Sequence, residues 1–162
     1  MRSQLNARTL GALPCNEVFL DRVLRRVELH DAVLHAQSQG GDLVLVLDPI
    51  FVHHWERVAG RVEGVGRWQI AHIRVSQGRW LAPPAQDATL LQGGWIQVGQ
   101  ERFDDLIPFP LDATGATKGV FIPRDNYPRS LEFAGVAVTL ELAGVPRGAE
   151  RLPAEWAPST LA

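Results

Sequence analysis

The pair His30-Asp31 is the arrangement in this sequence that could do general-base chemistry. A carboxylate beside an imidazole can fix the tautomer of the ring and raise its basicity, as a hydrolase or an isomerase would require. The pair stands immediately before an apolar strand, so Asp31 could instead accept backbone N–H groups at the bend while His30 packs locally. We favour this architectural interpretation over catalysis.

The histidines could also supply metal ligands, together with Asp31 or Glu56. They are His30, His35, His53, His54 and His72. Their spacing does not support a metal site, because the sequence has neither a His-Glu-x-x-His segment nor paired Cys-x-x-Cys motifs. The adjacent His53 and His54 would point to opposite sides of a strand. We therefore expect no bound metal and no cofactor.

Other catalytic motifs are not found in the sequence. There is no Gly-x-Ser-x-Gly elbow, and the single Cys15 lacks an obvious histidine and acid arrangement. The segment GRVEGVG, residues 60–66, has neither the lysine nor the strand-to-helix setting of a phosphate-binding loop, so we interpret its glycines as loop residues. A lone cysteine cannot form an internal disulfide, which favours a cytoplasmic location.

Binding residues can be predicted from aromatic side chains and from the proline-rich segment Asp104–Ser130. If Trp80 and Trp95 are exposed, they would be natural anchors for a partner. Prolines cannot donate in a central strand, so this segment should form edge strands and exposed loops, the usual place for binding residues. Within it, Arg124 and Asp125 are the charged binding candidates.

The element that follows His30-Asp31 is a predicted hairpin, with Gly40-Gly41 as a two-residue turn that needs positive φ. Counting outward pairs Leu34 with Leu47 and Ala36 with Leu45. Opposed residues share a side of the sheet, so one face is apolar and the other is mixed. The apolar face consists of Leu34, Ala36, Leu43, Leu45 and Leu47.

The rest of the chain predicts a single α+β domain over residues 1–162, with a mostly antiparallel sheet that could curl into a half-barrel and one or two short helices. The predicted helices are 17–27 and 53–62, and the predicted strands are 67–76, 89–91, 95–98 and 131–142. Turns are expected at Asp48-Pro49 and at Gln92-Gly93-Gly94. Residues 1–15 are predicted to be a loosely ordered arm, and residues 144–162 an irregular tail.

Charge and hydropathy exclude several classes of partner. The formal net charge of −2 and the absence of clustered lysine and arginine disfavour nucleic-acid binding. No apolar run approaches the roughly 20 residues of a membrane span, and the start of the chain lacks the apolar core of a signal peptide. We therefore expect a cytoplasmic protein that binds neither nucleic acid nor a membrane.

Two segments resemble a known group. LHDAVLHAQSQGGDLVLVLD, residues 29–48, resembles small uncharacterised bacterial proteins in which a Leu/Phe-His-Asp-Ala/Ser segment leads into a strand, a glycine turn and a second strand. LEFAGVAVTLELAG, residues 131–144, resembles their closing portion. Such proteins mostly lack an assigned activity, and some small proteins of similar make-up serve as immunity proteins against bacterial toxins. The resemblance covers about a fifth of the chain and implies no catalytic residues.

Three functions remain open from the sequence. The first is a binding or protein-interaction domain without catalytic chemistry, in which a partner or self-association covers the second face of the strands. The second is a small hydrolase or isomerase that uses His30 and Asp31, with the loops of residues 108–130 at the rim of its pocket. The third is a toxin-immunity protein, for which Asp104-Asp105 with Glu101 is the candidate acidic patch.

Overall fold

A computed structural model describes residues 23–125 and 129–161, and this part of the chain is nearly all antiparallel β-sheet. The strands are β1 (Val23–Glu28), β2 (Val33–Gln39), β3 (Asp42–Val58), β4 (Arg61–Ser76), β5 (Arg79–Ala82), β6 (Thr89–Val98), β7 (Glu101–Asp104), β8 (Leu106–Phe109), β9 (Leu111–Pro123) and β10 (Leu131–Arg151). Two short 3-10 helices follow, at Ala154–Trp156 and Ser159–Leu161. In this part of the chain, no helix is long and apolar enough to span a membrane.

The sheet is partly ring-like. Its neighbours run in the order β2-β6-β9-β10-β4-β3, and β3 pairs again with β2, which joins the two ends. Strand β1 adds to the distal half of β3 and carries β8 on its other edge, while β5 pairs with β10 and β7 with β6. The main core fills the ring with leucine, isoleucine, valine and phenylalanine side chains. The expected antiparallel sheet is confirmed, but the expected α+β class is wrong, because the described residues form strands and only two short 3-10 helices.

The predicted hairpin is confirmed in its register. Leu34 pairs with Leu47 and Ala36 with Leu45, as counting from the glycine turn requires. Gly40 and Gly41 have φ of +58° and +88°, the combination of two positive values that a tight hairpin turn needs. The leucines of the predicted apolar face are buried in the main core.

Both predicted helices are wrong where the structure describes them. Residues 17–22 lie outside the described residues, and the remainder of the first helix is strand β1, whose Val27 enters the main core while Leu24 packs on the opposite face. The segment predicted as a second helix is a hairpin of β3 and β4 with Ala59-Gly60 as its turn. Cross-strand pairing on both edges of β3 outweighs the helix-like spacing of the apolar residues.

Asp48-Pro49 is not a turn between elements but an irregularity inside β3, where the register shifts between Leu47 and Ile50. Proline lacks the N–H that a regular ladder needs, so a bulge accommodates it. The extra residue reverses the alternation of the strand. Leu47 and Ile50 both face the main core, and the residues that follow at odd positions face away from it.

Several glycines predicted in turns lie inside strands. A Cβ at Gly66 would lie 2.0 Å from Cζ of Phe51, and one at Gly64 would lie 2.5 Å from Cε3 of Trp55. Only glycine lets these rings lie flat across β4. Likewise Gly93-Gly94 lies within the continuous strand β6, at a register shift, rather than at the turn of a second hairpin.

The late part of the chain is more regular than expected. The predicted strand 67–76 is confirmed within β4 and the predicted strand 131–142 within β10. Strand β9 is central, between β6 and β10, although it lies in the segment expected to form edges and loops. Strand β10 continues to Arg151, and the segment 152–161 buries Leu152 and Leu161 in a second apolar cluster with Phe51 and Trp55.

Candidate functional site

A cavity of about 330 Å³ opens between the β1–β3 sheet and the C-terminal segment. Its lining combines two indoles, two carboxylates, a guanidinium and an imidazole with one leucine. These residues are Arg26, Glu28, His53, Trp55, Asp105, Leu106 and Trp156. The volume is at the lower end of the range typical of small-ligand sites, and a few polar groups among aromatic walls are characteristic of such sites.

The pairing of β1 with β3 brings the polar residues of the cavity together. Arg26 stands opposite His53, and Glu28 stands opposite Phe51, two residues earlier on the same face of β3. His53 reaches this face only because the irregularity at Asp48-Pro49 has reversed the alternation of β3. On its other side, His53 pairs with Gly66, which has no side chain to fill the space.

His53 is the buried polar residue of the cavity, with 4% of its surface exposed. Its Nε2 atom lies 2.7 Å from Oε2 of Glu28. A carboxylate oxygen only accepts, so Nε2 donates the proton of this hydrogen bond. The imidazole is held between Phe51, edge-on at 5.4 Å, and Trp156, nearly parallel at 6.1 Å between centroids.

The remaining walls differ in how firmly they are held. Oδ1 of Asp105 accepts the backbone N–H of Gly94 at 2.9 Å, which fixes this carboxylate between β6 and the cavity. Trp55 is buried in the second apolar cluster. Trp156, by contrast, is 54% exposed and lies on the first 3-10 helix as the outer wall. The site thus has a rigid floor and an accessible aromatic wall.

Three of the residues predicted from the sequence do meet, but outside this cavity. Nδ1 of His30 lies 3.2 Å from Oδ2 of Asp31, and Nη2 of Arg124 lies 3.3 Å from Nε2 of the same ring. Arg124 also donates to Oδ1 of Asp31. Because a guanidinium only donates, Nε2 accepts from Arg124 and Nδ1 donates to Asp31. The cluster is a half-exposed network that ties the β1–β2 turn to the end of β9.

The other predicted binding residues do not join either group. Trp80 is half-buried and packs edge-on against Phe133 of the main core at 5.9 Å. Trp95 is half-buried, and the guanidinium carbon of Arg102 lies 4.2 Å from the centroid of the Trp95 ring. Asp125 is exposed just beyond β9. Neither tryptophan is the exposed anchor that the sequence suggested, whereas Trp156 has the exposure expected of one.

The histidines are distributed over different faces. The side chains of His53 and His54 point to opposite faces of β3, as adjacent residues in a strand must. His54 lines a different cavity, on the other face. Within residues 23–125 and 129–161, no three His, Cys, Asp or Glu side chains come together as metal ligands.

The sequence alone does not reveal the Glu28–His53 pair or the role of Trp156. The signal was present in the alternation of Phe51, His53 and Trp55, which gives one aromatic face. Counting back from a turn at Ala59-Gly60 would place the glycines of GRVEGVG opposite two of these residues. The partner Glu28 cannot be found in this way, because it lies in no predicted element and the residues before it are predicted to be a helix.

Comparisons with known proteins do not identify the site: the chain matches no protein-family model, no curated protein and no solved structure.

Proposed function

We propose that this protein is a binding protein without catalytic chemistry and that its ligand occupies the Glu28–His53–Trp156 cavity. The observation that carries the proposal is the buried His53 ring, bonded to Glu28 at 2.7 Å and faced by an exposed tryptophan. An imidazole and a carboxylate at an open cavity occupy positions where apolar side chains would bury more apolar surface. A purely structural contact would not require polar groups there. The polar pair gives a ligand orientation, and Trp156 gives it a flat apolar surface.

The lining indicates the kind of ligand. Within the described residues, Glu28 uses Oε2 for His53 and Asp105 uses Oδ1 for Gly94, so the second oxygen of each lining carboxylate remains available as an acceptor. The indoles of Trp55 and Trp156 favour a planar molecule. A small aromatic or heteroaromatic compound carrying N–H donors satisfies both features.

Binding is supported better than catalysis by the same residues. In the described part of the chain, no serine, threonine, cysteine or tyrosine lines this cavity, so a hydroxyl or thiol nucleophile is missing from its walls. The alternative of a hydrolase or isomerase at His30 and Asp31 is weakened because Arg124 occupies the Nε2 lone pair that a general base would use.

The toxin-immunity alternative needs an exposed acidic patch. Arg102 lies 2.7 Å from Asp104, and Asp105 is committed to the backbone of β6. The ion pair with Arg102 therefore offsets one of the three charges of the candidate acidic run. A protein partner was expected to cover the second face of the strands, and around Phe51 and Trp55 that face is covered by the chain's own C-terminal segment.

The test is a ligand-observed NMR screen of small nitrogen heterocycles and aromatic amines against the wild-type protein, Glu28→Gln and Trp156→Ala. We expect a set of compounds that bind the wild type and lose their saturation-transfer signal with Trp156→Ala. Trp95→Ala is the matched control, since that indole lies outside the cavity, and it should retain the signals. Compounds that bind all four proteins equally, or no binding at all, would contradict the proposal.

A further inference from the structure

A second cavity lies on the opposite face of the same strands. Its volume is about 280 Å³, and it opens beside the inward-facing residues of β3 and β4, beyond the main core. Two arginines, a histidine and a glutamine face it, together with one glutamate. The lining residues are Arg25, Val52, His54, Glu56, Val65, Arg67, Gln69, Leu142 and Pro146.

The strand register brings the two arginines toward one point. Arg25 on β1 stands directly opposite His54 on β3, and Arg67 on β4 stands opposite Val52, two residues before His54. From strand spacing and residue rise, the two arginine Cα atoms are about 12 Å apart, diagonally across β3. The two arginines therefore flank His54 from opposite sides of β3.

The charges in this cavity are not balanced by the chain itself. Among residues 23–125 and 129–161, neither Arg25 nor Arg67 forms an ion pair. The Arg25 guanidinium instead lies 4.8 Å from the ring centroid of Phe109 on β8, on the side of β1 away from Arg67, and would turn from that ring to reach an anion over His54. The carboxylate of Glu56 lies 3.7 Å from Nε2 of His54. The one carboxylate of the lining is therefore beside His54, and in the described residues neither guanidinium forms an ion pair with it.

We propose that this second cavity binds the phosphate group of a small phosphate monoester. Two planar guanidinium groups match the oxygens of a dianion with paired hydrogen bonds, which a monocarboxylate would satisfy only in part. Val52, Val65, Leu142 and Pro146 provide an apolar wall for the organic part of such a molecule. Gln69 already donates to the carbonyl of Gly144 at 3.2 Å. Its side chain therefore holds β10 at the rim and is not counted among the groups that bind the anion.

The experiment is isothermal titration with phenyl phosphate, inorganic phosphate and benzoate. The proteins are the wild type, Arg25→Gln, Arg67→Gln and the control Arg61→Gln, an exposed arginine at the β3–β4 turn outside the cavity. We expect phenyl phosphate to bind the wild type more tightly than either other probe. Each cavity substitution should weaken it about tenfold or more, with Arg61→Gln unchanged. Far-UV circular dichroism checks that the variants remain folded, as substitutions of exposed residues should.

The proposal is wrong if phenyl phosphate shows no saturable binding up to about 10 mM, if benzoate binds as tightly, or if all three arginine variants behave alike. Glu28→Gln separates this site from the proposed function, because that residue lies on the opposite face. Phenyl phosphate should bind Glu28→Gln as it binds the wild type. Equal loss in Glu28→Gln and Arg25→Gln would assign phosphate to the other cavity and overturn the proposal.

Discussion

Nε2 of His53 lies 2.7 Å from Oε2 of Glu28, although the two residues are 25 positions apart in the sequence. The contact exists because β1 pairs with the distal half of β3, and because the irregularity at Asp48-Pro49 directs His53 away from the main core. The same pair forms the polar floor of the cavity beneath Trp156. Its contribution to stability and its contribution to binding can be measured separately.

Glu28→Leu should destabilise the protein by about 2 kcal/mol, because it leaves the buried Nε2–H donor of His53 without an acceptor. Glu28→Gln retains an acceptor oxygen at the same position and should cost much less. Urea unfolding of both variants provides the comparison, and Glu101→Leu on the exposed strand β7 controls for the change of surface charge. Equal stability of the Leu and Gln variants would show that the bond is not needed for folding.

Gly66→Ala should destabilise the protein by about 2 kcal/mol, because its Cβ would overlap the ring of Phe51 and force the second apolar cluster to shift. The cost should fall when the same substitution is made in a Phe51→Leu background, since the smaller side chain leaves room. A double-mutant cycle by urea unfolding measures the coupling. Additive effects would mean that the ring does not depend on the missing side chain.

Asp31 tests whether the His30-Asp31 pair is architectural. Asp31 has a φ of +66°, which asparagine tolerates better than alanine does. Its carboxylate accepts a hydrogen bond from Arg124. Asp31→Asn should therefore be nearly neutral in thermal unfolding, whereas Asp31→Ala should cost about 1 kcal/mol. His30→Ala should reduce stability slightly and leave ligand binding unchanged. If His30→Ala keeps its full stability but no longer binds a ligand or no longer turns over a substrate, the catalytic interpretation would be favoured instead.

Leu161→Ala should destabilise the protein by about 2 kcal/mol, because this leucine is buried against Phe51 and Trp55. The tryptophan emission should also shift to longer wavelength as water reaches Trp55. Leu81→Ala is the matched control, since Leu81 is 48% exposed and its loss should cost less than about 0.5 kcal/mol. Indistinguishable unfolding curves for the two variants would mean that the C-terminal segment does not stabilise the fold.

The local features of this fold could be predicted where a turn residue fixed the register. Gly40-Gly41 requires positive φ, so the pairing of Leu34 with Leu47 follows by counting. The long-range features could not be predicted in this way. Nothing near Leu24 and Val27 in the sequence shows that they pack on different faces, so their spacing predicts a helix. Pairing with β3 and β8 makes the segment a strand instead.

The candidate site could not be predicted because two sequence features depart from their usual structural meaning. A proline inside β3 looked like the end of an element, and glycines opposite aromatic rings looked like loop residues. Both depend on residues far along the chain. The sequence predicts the His30-Asp31 pair and Arg124 only as separate candidates, since the pairing that joins β2 to β6 lies beyond local pattern.

The most direct test of the ligand cavity is a crystal structure of the wild-type protein soaked with the compound that binds most tightly in the NMR screen. The proposed binding at this cavity predicts electron density for the ring of the compound beside Trp156, with a nitrogen donor within hydrogen-bond distance of Glu28 or Asp105. Density for the compound at any other place on the protein, with the Glu28–His53–Trp156 cavity empty, would contradict it.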